Sequence, residues 1–415
     1  MVTKFRNEEG NLEVDPLNVK RDHEHWVDSI TNLDGTIRFY TFKTISADAS
    51  VYLTKHILDL EHGRNLSKGV SKGKRSYAYM NSQRQRLKKI FEMLEQCSNK
   101  TLFEFTEEDV FTLFRKMRDG EILTYRGTKY TAVANYSKVF YTFWRWLMRV
   151  RKREGHDLAD IVADLDKTKD EKPKWYYFNL KDVEKMAEYA PNYYYRVLAY
   201  FLFDSGIRAP KELMNVRAMD LSPVPNSNHL LLEIRNDTSK TYGRKIKLMI
   251  CSDIVKKYIQ TNNLRGEDFL FTKSYTVTCR VMARMAFRAI GKGKESRQKT
   301  GKILVIQGVT MYDFRHNSVC HYLPIYKSEN SMKYRYGWSN ASMIQYYSEF
   351  MGMHDVVTDE DMVVDSNKVG LQMELEKEKQ RVAVLQEQLD AQRKETEERF
   401  KKMEAMMLQR FAQKM

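Results

Sequence analysis

The chain has 415 residues, of which 70 are lysine or arginine and 55 are aspartate or glutamate, so its formal net charge is +15. This length predicts two or three domains, and the excess of positive charge favours a polyanionic partner such as nucleic acid. The sequence has neither a run of eighteen apolar residues nor an apolar N-terminal signal core. We therefore expect an intracellular protein rather than a secreted or membrane-spanning one.

Cysteine spacing and missing nucleotide-binding motifs exclude further classes. The four cysteines, Cys97, Cys251, Cys279 and Cys320, lie far apart and form no CxxC pair, which speaks against a zinc knuckle or a disulfide framework. We expect free, mostly buried thiols. The sequence contains neither GxxxxGK[ST] nor GxGxxG, so it gives no indication of a nucleotide cofactor. No cofactor and no metal are expected.

The first part of the chain predicts a helical unit with a basic surface. Residues 1–48 are mixed and weakly periodic, and we assign them no role, whereas residues 49–158 have helical periodicity. Nine basic residues and no acidic residue lie between Arg64 and Phe91. Because a solvated helix face usually mixes both signs of charge, this run favours contact with DNA. The residues expected to contact DNA are Lys68, Lys72, Lys74, Arg75, Arg84, Lys88, Arg149, Arg151 and Arg153.

Two helix signals are clear in this unit. Thr106 and Asp109 form a variant capping box that predicts the start of the helix EDVFTLFRKMR. The segment 131–153 predicts one amphipathic helix that ends in a basic cluster. Its apolar stripe is interpreted as hydrophobic core rather than as a platform for stacking bases, and it consists of Val133, Tyr136, Phe140, Phe143, Trp144 and Leu147.

A charged stretch with few apolar residues predicts a linker at 159–175, and a second unit follows over residues 176–352. Asn179 is a predicted N-cap at the start of this unit. The segment 192–207 is apolar on nearly all sides, which predicts a buried helix.

The middle of the second unit predicts β structure followed by a helix. The segment 229–250 contains two apolar runs separated by a polar stretch with Gly243, a pattern typical of a β-hairpin. A helix is expected over residues 276–290. The Gly/Lys-rich segment 291–302 that follows it is expected to be a loop.

The last part of the chain predicts a linker at 353–367 and a helical, possible coiled-coil tail at 368–415. Polar residues interrupt the apolar pattern, so we expect a tail that docks or oligomerises rather than a long coiled coil. The residues at 3-4 spacing are Leu371, Leu375, Val382, Leu385 and Leu389.

Four separated boxes in the second unit carry residues that suit phosphate chemistry. The first, DSGIRAPKELMNVRAMDL, contains Arg208, and the second, SKTYGRKIKL, contains Lys240. The third, MYDFRHNSVCHYL, contains Arg315. The fourth, YRYGWSNASMIQYYSEFMG, contains Trp338 and Tyr347. Each box alone is a weak signal, but their order and spacing together are specific.

These boxes resemble the tyrosine recombinase (phage integrase) family over residues 49–352. That family shows a T/SG-x-R box followed by Glu-Leu, a lysine on a β-hairpin, an HxxRH box, and a G-H/W box that ends in a tyrosine. The GW form of the last box, followed by YSEFMG, looks most like archaeal members. The resemblance implies a mostly α fold with a small β-sheet or hairpin in the catalytic domain. A helical SAM-like core-binding domain would occupy residues 49–158, the catalytic domain residues 176–352, and a helical tail the C-terminal end.

The resemblance also implies a role for each matching residue. Arg208 and Arg315 match the two arginines that grip the scissile phosphate, and Lys240 matches the hairpin lysine. Trp338 matches the His/Trp position, where its indole N–H and bulk can position the nucleophile or the phosphate. Tyr347 matches the nucleophile.

The sequence departs from the family pattern in two places and offers two tyrosines at a third. Tyr312 stands where the family has the first His of its HxxRH box, although a phenol can still donate a hydrogen bond to phosphate. Glu212 lies one residue later than the family's Glu, so one inserted residue must be accommodated after Arg208. Tyr346 precedes Tyr347, which we select because its distance and its following residues match better.

The chemistry of strand transfer in DNA independently requires these residue types. A tyrosyl oxygen can attack a phosphodiester and conserve the bond energy as a 3′-phosphotyrosine. Two guanidiniums can hold the phosphate oxygens, and a lysine can protonate the leaving 5′ oxygen. We therefore expect a site-specific DNA recombinase or integrase of a mobile element that needs neither metal nor ATP.

Two alternatives stay open. One is a catalytically inactive DNA-binding protein on the same scaffold, and the other is a type IB topoisomerase-like enzyme. The expected partners are double-stranded DNA and further copies of the chain, with four protomers in the synaptic complex that the family resemblance implies. We expect no membrane partner, and we expect action at the nucleoid or, for a viral or mobile-element protein, in the host cytoplasm.

Overall fold

The computed structural model describes residues 3–6, 10, 12–64, 75–125, 127–168, 175–297, 303–326 and 328–351. Residues 1–347 form one compact unit with two separate hydrophobic cores. We call residues 19–165 the helical half and residues 175–350 the mixed half. In the part of the chain so described, no helix is long and apolar enough to cross a membrane.

Some of the sequence predictions fall on residues outside this description. The linker predicted at 353–367 and the tail predicted at 368–415 lie outside the described residues, as do three of the residues expected to contact DNA, Lys68, Lys72 and Lys74. The other predicted site residues are all described.

The helical half is built from five helices among its described residues, with a 3₁₀ turn at Leu102–Glu104. The predicted capping box is confirmed: the Thr106 side chain accepts the Asp109 N–H at 3.4 Å, and Asp109 Oδ2 accepts the Thr106 N–H at 2.8 Å. The helices are α1 (Val19–Ile30), α2 (Ala47–His62), α3 (Tyr77–Ser98), α4 (Glu107–Asp119) and α5 (Val133–Arg153).

The aromatic stripe of α5 forms the centre of this half. Phe140 and Phe143 are fully buried, and Trp144 is 1% exposed and donates its indole N–H to the Ala159 carbonyl at 2.9 Å. Burial of each such side chain contributes about 1.5–3 kcal/mol to folding. The interpretation of the stripe as core is therefore confirmed. Leu165 lies in the same core, so the first residues of the segment predicted as a linker pack with the helical half.

The N-terminal segment, to which the sequence assigned no role, contacts both halves. Strands β1 (Thr3–Arg6) and β2 (Leu12–Asp15) form an antiparallel hairpin, and α1 packs against α3. On the mixed half, Asn215 Oδ1 accepts the Val14 N–H at 2.7 Å, and its Nδ2 donates to the Val14 carbonyl at 3.1 Å. The segment thus makes a second connection between the halves besides the chain that leads into residue 175.

The mixed half combines helices with short antiparallel strands. Its bounds are α6 (Leu180–Glu188), α7 (Tyr193–Ser205), α8 (Lys211–Met214), β3 (Leu221–Pro223), β4 (Leu230–Ile234), β5 (Arg244–Leu248), α9 (Ser252–Thr261), α10 (Tyr275–Ile290), β6 (Lys294–Arg297), β7 (Ile303–Ile306), α11 (Met311–Tyr322), α12 (Glu329–Tyr336) and α13 (Ser342–Phe350). Asn179 caps α6 by accepting the Asp182 N–H at 3.1 Å, as predicted.

Helix α7 lies at the centre of the mixed half, as its apolar sequence predicted, and packs against α6, α9, α11 and β5. Near its end, the buried carboxylate of Asp204 accepts the N–H groups of Ile250 and Cys251 at 2.7 and 2.8 Å. The same carboxylate accepts the Tyr322 hydroxyl at 2.6 Å. Because an unpaired buried carboxylate is costly, these bonds fix the end of α7 against both the sheet and α11.

The predicted hairpin is confirmed as part of a three-stranded antiparallel sheet of order β3-β4-β5. Leu232 pairs with Ile246 and both are buried, whereas Glu233 and Lys245 pair on the exposed face. Inward and outward residues therefore alternate as a half-buried sheet requires. The connection between β4 and β5 carries Lys240.

The expectation that residues 291–302 form only a loop was wrong. Residues Lys294–Arg297 form β6, which pairs antiparallel with β7 at Ile303–Ile306. The apolar β-branched run ILVI favours an extended strand, and β7 packs against α10. The polar segment before it then pairs with β7 through backbone hydrogen bonds, which do not require apolar side chains.

The four cysteines are free thiols, as their spacing predicted. Cys251 and Cys320 are buried, Cys279 is half-buried, and Cys97, at the end of α3, is exposed. Burial raises the pKa of the Cys320 thiol to about 12, so this thiol stays protonated and unreactive at neutral pH.

Replacing Gly206 with alanine is expected to lower the free energy of unfolding by about 2–5 kcal/mol. Gly206 has φ +58, and a Cβ atom there would overlap the Tyr336 ring and lie 2.7 Å from Ser318 Oγ. Gly266→Ala is the matched control because Gly266 has φ +51 with no atom within 4 Å of an added Cβ. The control should lose only about 1–2 kcal/mol. Urea unfolding measures both, and equal losses would contradict the close packing at Gly206.

Candidate active site

Arg208 follows the end of α7 and is fixed by a carboxylate four residues later. Glu212 Oε2 accepts the Arg208 backbone N–H at 2.8 Å, and Glu212 Oε1 accepts Arg208 Nη1 at 3.0 Å. Glu212 is the second residue of α8, and the turn before this helix brings its carboxylate back to Arg208. Arg208 is partly exposed, so its guanidinium can still reach a ligand.

Arg244 is a residue of this cluster that the sequence analysis missed. It is the first residue of β5, its side chain is fully buried, and it pairs in a fork with Glu212 at 3.1 and 2.8 Å. Its Nε donates to the Arg335 carbonyl at 2.9 Å. The signal was available: Arg244 occupies an inward position of an alternating strand, together with Ile246 and Leu248, and a charged residue there needs a buried partner.

Glu212 is the carboxylate that this part of the cluster depends on. Burial alone would raise its pKa, but the hydrogen bonds and charges of Arg244, followed by those of Arg208, lower the pKa to about 2. Glu212 is therefore ionised at neutral pH and holds both guanidiniums in place.

Arg315 lies on α11, and its guanidinium reaches the end of α7 and the end of α12, next to Arg208 and Gly337. Its Nη1 donates to the Gly206 carbonyl and its Nη2 to the Tyr336 carbonyl, each at 2.6 Å. Both acceptors are neutral, and within the described ranges Arg315 forms no ion pair. Burial and then the charge of Arg208 lower the pKa of Arg315 to about 10. The guanidinium stays charged at neutral pH, and an anion bound beside it would stabilise that charge.

The Gly337 carbonyl, in the fourth sequence box, accepts hydrogen bonds from residues of the first and second boxes. It accepts Arg208 Nη2 at 2.7 Å and Thr241 Oγ1 at 3.0 Å. Tyr242 donates its hydroxyl to the Lys333 carbonyl at 3.1 Å, which fixes the β4–β5 connection further. Lys240 is next to Thr241, and its side chain is exposed. The structure thus brings the loop that carries Lys240 to the arginine cluster and leaves the ammonium group in solvent.

Trp338 forms the middle of an aromatic stack. Its ring lies between that of Tyr336, at a centroid distance of 5.1 Å, and that of Tyr347, at 5.8 Å and an interplanar angle of 14°. Trp338 is 8% exposed. The contact with Tyr347 is a positioning contact, because a stacked indole fixes the plane of the phenol.

The two adjacent tyrosines have different surroundings. Tyr347 is 2% exposed, and its hydroxyl lies 2.5 Å from His316 Nδ1. Burial raises the pKa of Tyr347 strongly, and the charge of Arg315 opposes that shift. The Tyr346 hydroxyl instead accepts the indole N–H of Trp175 at 2.8 Å. Of the two, Tyr347 is the tyrosine that stacks on Trp338 and bonds to His316.

Tyr312, which replaces the family His, lies one helical turn before His316. It is 46% exposed, and its ring meets the His316 ring edge to face at 5.0 Å. Together they line a cleft of about 670 Å³ whose other walls are Trp175, Tyr176, Gln307, Gly308, Thr310 and Asp313. The Tyr312 ring therefore stands at the open side of the site rather than in its buried part.

The basic residues predicted to contact DNA have varied surroundings in the helical half. Arg84 lies over the Trp26 ring at 4.6 Å, and burial lowers its pKa to about 10. Lys88 forms an ion pair with Glu92 at 3.6 Å. Arg75 precedes α3 and is partly buried, and the remaining three lie on α5: Arg149, Arg151 and Arg153.

One of these residues is held by the protein itself. Arg151 Nη1 donates to the Tyr52 hydroxyl at 3.1 Å and to Glu154 Oε2 at 3.0 Å. The run from Arg64 to Phe91 has no acidic residue, but Glu92 immediately after it pairs with both Lys88 and Lys89. Part of the basic surface is thus neutralised within the helical half.

The cluster has the composition of an anion site with a nucleophile beside it. Arg208, Arg244 and Arg315 carry three positive charges against the single negative charge of Glu212, as their contacts show. Planar guanidiniums can hold two oxygens of a tetrahedral anion in a fixed geometry. The Tyr347 hydroxyl supplies an oxygen that can attack such an anion.

Solved structures of tyrosine recombinases share this architecture. A lambda integrase dimer bound to a COC′ core site matches with a TM-score of 0.51 and 16% identity, over 71% of this chain and 75% of that chain. XerH site-specific recombinase in its post-cleavage complex with palindromic difH substrate matches with a TM-score of 0.50 and 13% identity, over 81% and 92%. No family model matches the sequence, and no curated protein matches it. The chain has the fold of the tyrosine recombinases, mostly helical with small antiparallel sheets, as predicted.

Glu212→Gln is expected to remove a pH-dependent part of the stability. Because the folded pKa of Glu212 is about 2 and its ordinary value is 4.5, the carboxylate stabilises the fold fully above pH 4.5 and progressively less as the pH falls toward 2. Between pH 7 and about pH 3, the difference in unfolding free energy between wild type and variant should shrink by about 2 kcal/mol. Urea unfolding at several pH values measures this difference, and a constant value would contradict the role of the charge.

Proposed function

We propose that the chain is a site-specific DNA recombinase or integrase that cleaves and rejoins strands through a covalent bond to Tyr347, without metal or ATP. One observation carries the proposal: the arginine cluster of Arg208 and Arg315 and the aromatic stack of Tyr347 and Trp338 meet at the Tyr336–Trp338 turn. This convergence occurs in a chain that has the fold of the tyrosine recombinases.

The proposed anion is the scissile phosphate of DNA. The cluster of three arginines and Glu212 has a net charge of about +2, and a phosphodiester would neutralise part of it. Arg315 now donates to the carbonyls of Gly206 and Tyr336, and Arg208 donates to that of Gly337. Phosphate oxygens are stronger acceptors than carbonyls, so the arginines can turn part of their donor set to the substrate.

In the cleavage step, Tyr347 Oη gives its proton to a neighbouring base and attacks the phosphorus, and a new O–P bond forms as the bond to the 5′ oxygen breaks. Lys240, on the loop pinned to Gly337, gives its proton to the departing 5′ oxygen. Trp338 keeps the Tyr347 ring in its plane through the stack at 5.8 Å. Tyr312, at the open side, can donate a hydrogen bond to a phosphate oxygen. Rejoining is the same step in reverse, with a 5′ hydroxyl as the nucleophile.

Double-stranded DNA and further copies of the chain are the proposed partners. The net charge of +15 and the basic residues of α3 and α5 favour binding to the phosphate backbone. The lambda integrase of similar fold is a dimer on its core site. We extend this to assembly of the chain on DNA, with four protomers when two sites are paired, and to action at the nucleoid or in a host cytoplasm.

Tyr347→Phe should abolish formation of a covalent protein–DNA adduct. The substrate is a set of duplexes tiled across the DNA that flanks the gene and nicked at random, so that a cleaved fragment diffuses away and religation stops. Wild type should give an adduct that resists denaturant, seen as a shifted band on a denaturing gel. Tyr346→Phe is the matched control and should keep the adduct, because the Tyr346 hydroxyl bonds to the Trp175 indole, whereas that of Tyr347 bonds to His316.

The other results of this assay would favour a different nucleophile or one of the two alternative functions. An adduct in Tyr347→Phe that is lost in Tyr346→Phe would transfer the nucleophile to Tyr346. Wild type that binds a duplex from the set and forms no adduct on it would support a DNA-binding protein without strand cleavage. Relaxation of a supercoiled plasmid without any recognition site, at a rate similar to that of adduct formation, would support a type IB topoisomerase-like enzyme.

A further inference from the structure

His316 carries a ring nitrogen within hydrogen-bond distance of the proposed nucleophile. Its Nδ1 lies 2.5 Å from Tyr347 Oη, a short hydrogen bond between a half-buried imidazole and a buried phenol. The residue ends the MYDFRH sequence, but it was not among the predicted site residues. The structure shows the contact because α11 and α13 bring the two side chains together across 31 residues of chain.

The His316 ring is held in one orientation from two sides. The Trp175 indole stacks on it at a centroid distance of 4.8 Å and an interplanar angle of 15°. The Tyr312 ring meets it edge to face at 5.0 Å. A ring fixed in this way presents Nδ1 to the Tyr347 hydroxyl without a loss of side-chain entropy during the reaction.

The surroundings of His316 keep it neutral. The groups that face it are the guanidinium of Arg315, the hydroxyls of Tyr312 and Tyr347, and Asp313, which shares the lining of the same cleft. Burial and then the charge of Arg315 lower the pKa of His316 to about 4. Burial raises the pKa of Tyr347, so at neutral pH the phenol holds its proton and His316 Nδ1 has a free lone pair when the proton is on Nε2.

We propose that His316 is the general base of strand cleavage, accepting the proton of Tyr347 Oη at Nδ1 while that oxygen attacks the phosphate. This role rests on the proposed recombinase function and goes beyond it, since Tyr312 leaves the family's His position without an imidazole. As the bond between Tyr347 Oη and phosphorus forms, the Oη proton moves to His316 Nδ1. The bond from phosphorus to the 5′ oxygen breaks, and that oxygen takes a proton from Lys240. In rejoining, protonated His316 returns its proton to Tyr347 Oη as the phenol leaves.

The electrostatics of the site favour this transfer during the reaction rather than before it. A positive charge on His316 is disfavoured while Arg315 faces it alone. When a phosphate binds to Arg315, the negative charge offsets the guanidinium, and a cation on His316 becomes less costly. The base therefore gains strength with substrate in place, and the free protein keeps the tyrosine protonated and unreactive.

Two variants of His316 test the proposal in the full chain. His316→Asn places an amide oxygen near the position of Nδ1, so it keeps a hydrogen-bond acceptor but removes the base. His316→Phe keeps a ring for stacking on Trp175 and removes the acceptor. Lys240→Ala is the comparison variant because it affects the leaving-group side of the reaction. Urea unfolding and DNA binding of each variant show whether the fold is kept.

Each variant is assayed on two nicked duplexes, one with an ordinary scissile phosphate and one with a 5′-bridging sulfur. A thiolate leaves without a proton, so the second duplex removes the need for a general acid. We expect both His316 variants to cleave about 10²- to 10⁴-fold more slowly than wild type on both duplexes. Lys240→Ala should be slow on the ordinary duplex and recover on the sulfur duplex.

The pH dependence on the sulfur duplex separates a base from a residue that only positions Tyr347. Wild type should cleave at a rate that is level from about pH 6 to pH 9. In His316→Asn the logarithm of the rate should rise by about one for each pH unit, because the tyrosine must then lose its proton to solvent. If one variant fails to fold, the other supplies the same comparison.

Several results would overturn the proposal while leaving the recombinase function in place. Wild type that forms the adduct, together with His316 variants that cleave as fast or faster, would show that His316 only restrains the tyrosine. A His316→Asn profile parallel to that of wild type would show positioning without proton transfer. Recovery of the His316 variants on the sulfur duplex would place His316 on the leaving-group side. The recombinase function itself would fail only if wild type formed no adduct at all.

Discussion

One buried carboxylate fixes the geometry of the candidate active site. Glu212 accepts hydrogen bonds from both Arg208 and Arg244, and so connects the end of α7, the short helix α8 and the first residue of β5. Three guanidiniums close together would repel one another, and without Glu212 the buried Arg244 would be an uncompensated charge. Because the ionised carboxylate accepts hydrogen bonds from both arginines, Arg208 keeps a fixed direction, and its side chain stays partly exposed. The position of Arg315 on α11 is then set by carbonyls of the same region, those of Gly206 and Tyr336.

The nucleophile side of the site depends on aromatic packing instead of charge. Tyr347 is stacked on Trp338 and hydrogen-bonded to His316, and Trp175 covers the other side of the imidazole. Trp175 belongs to the segment predicted as a linker, so the chain that leads into the mixed half contributes directly to the surroundings of Tyr347. Tyr347 is buried and protonated in the free protein, whereas the arginine cluster is polar and partly exposed. In the proposed reaction, the negative charge of a bound phosphate favours the proton transfer.

The packing of the helical half shows why its basic surface is less strongly positive than the sequence suggested. Its core rests on the aromatic stripe of α5, which leaves basic residues on the outer faces of α3 and α5. Some of these residues pair with nearby acids, as Lys88 does with Glu92 and Arg151 with Glu154. Pairs on the surface contribute little to stability and exchange readily, so these cations can turn to a stronger anion such as DNA phosphate.

The sequence by itself determined the β4–β5 hairpin and several helices, among them α4, α5, α6, α7 and α10, because apolar periodicity and caps such as Thr106 and Asn179 act within a few residues. The fold class followed from the resemblance of the four boxes to the tyrosine recombinases. The sequence also identified Arg208 and Arg315, since their boxes have a recognisable order. It could not identify Arg244 or His316 as parts of the site, nor the strand at residues 294–297. Those depend on contacts between residues far apart in the chain: a buried guanidinium needs its carboxylate, and an imidazole becomes a candidate base only when a phenol lies within hydrogen-bond distance. Such distances are set by the packing of α7, α11 and α13, which no local pattern contains.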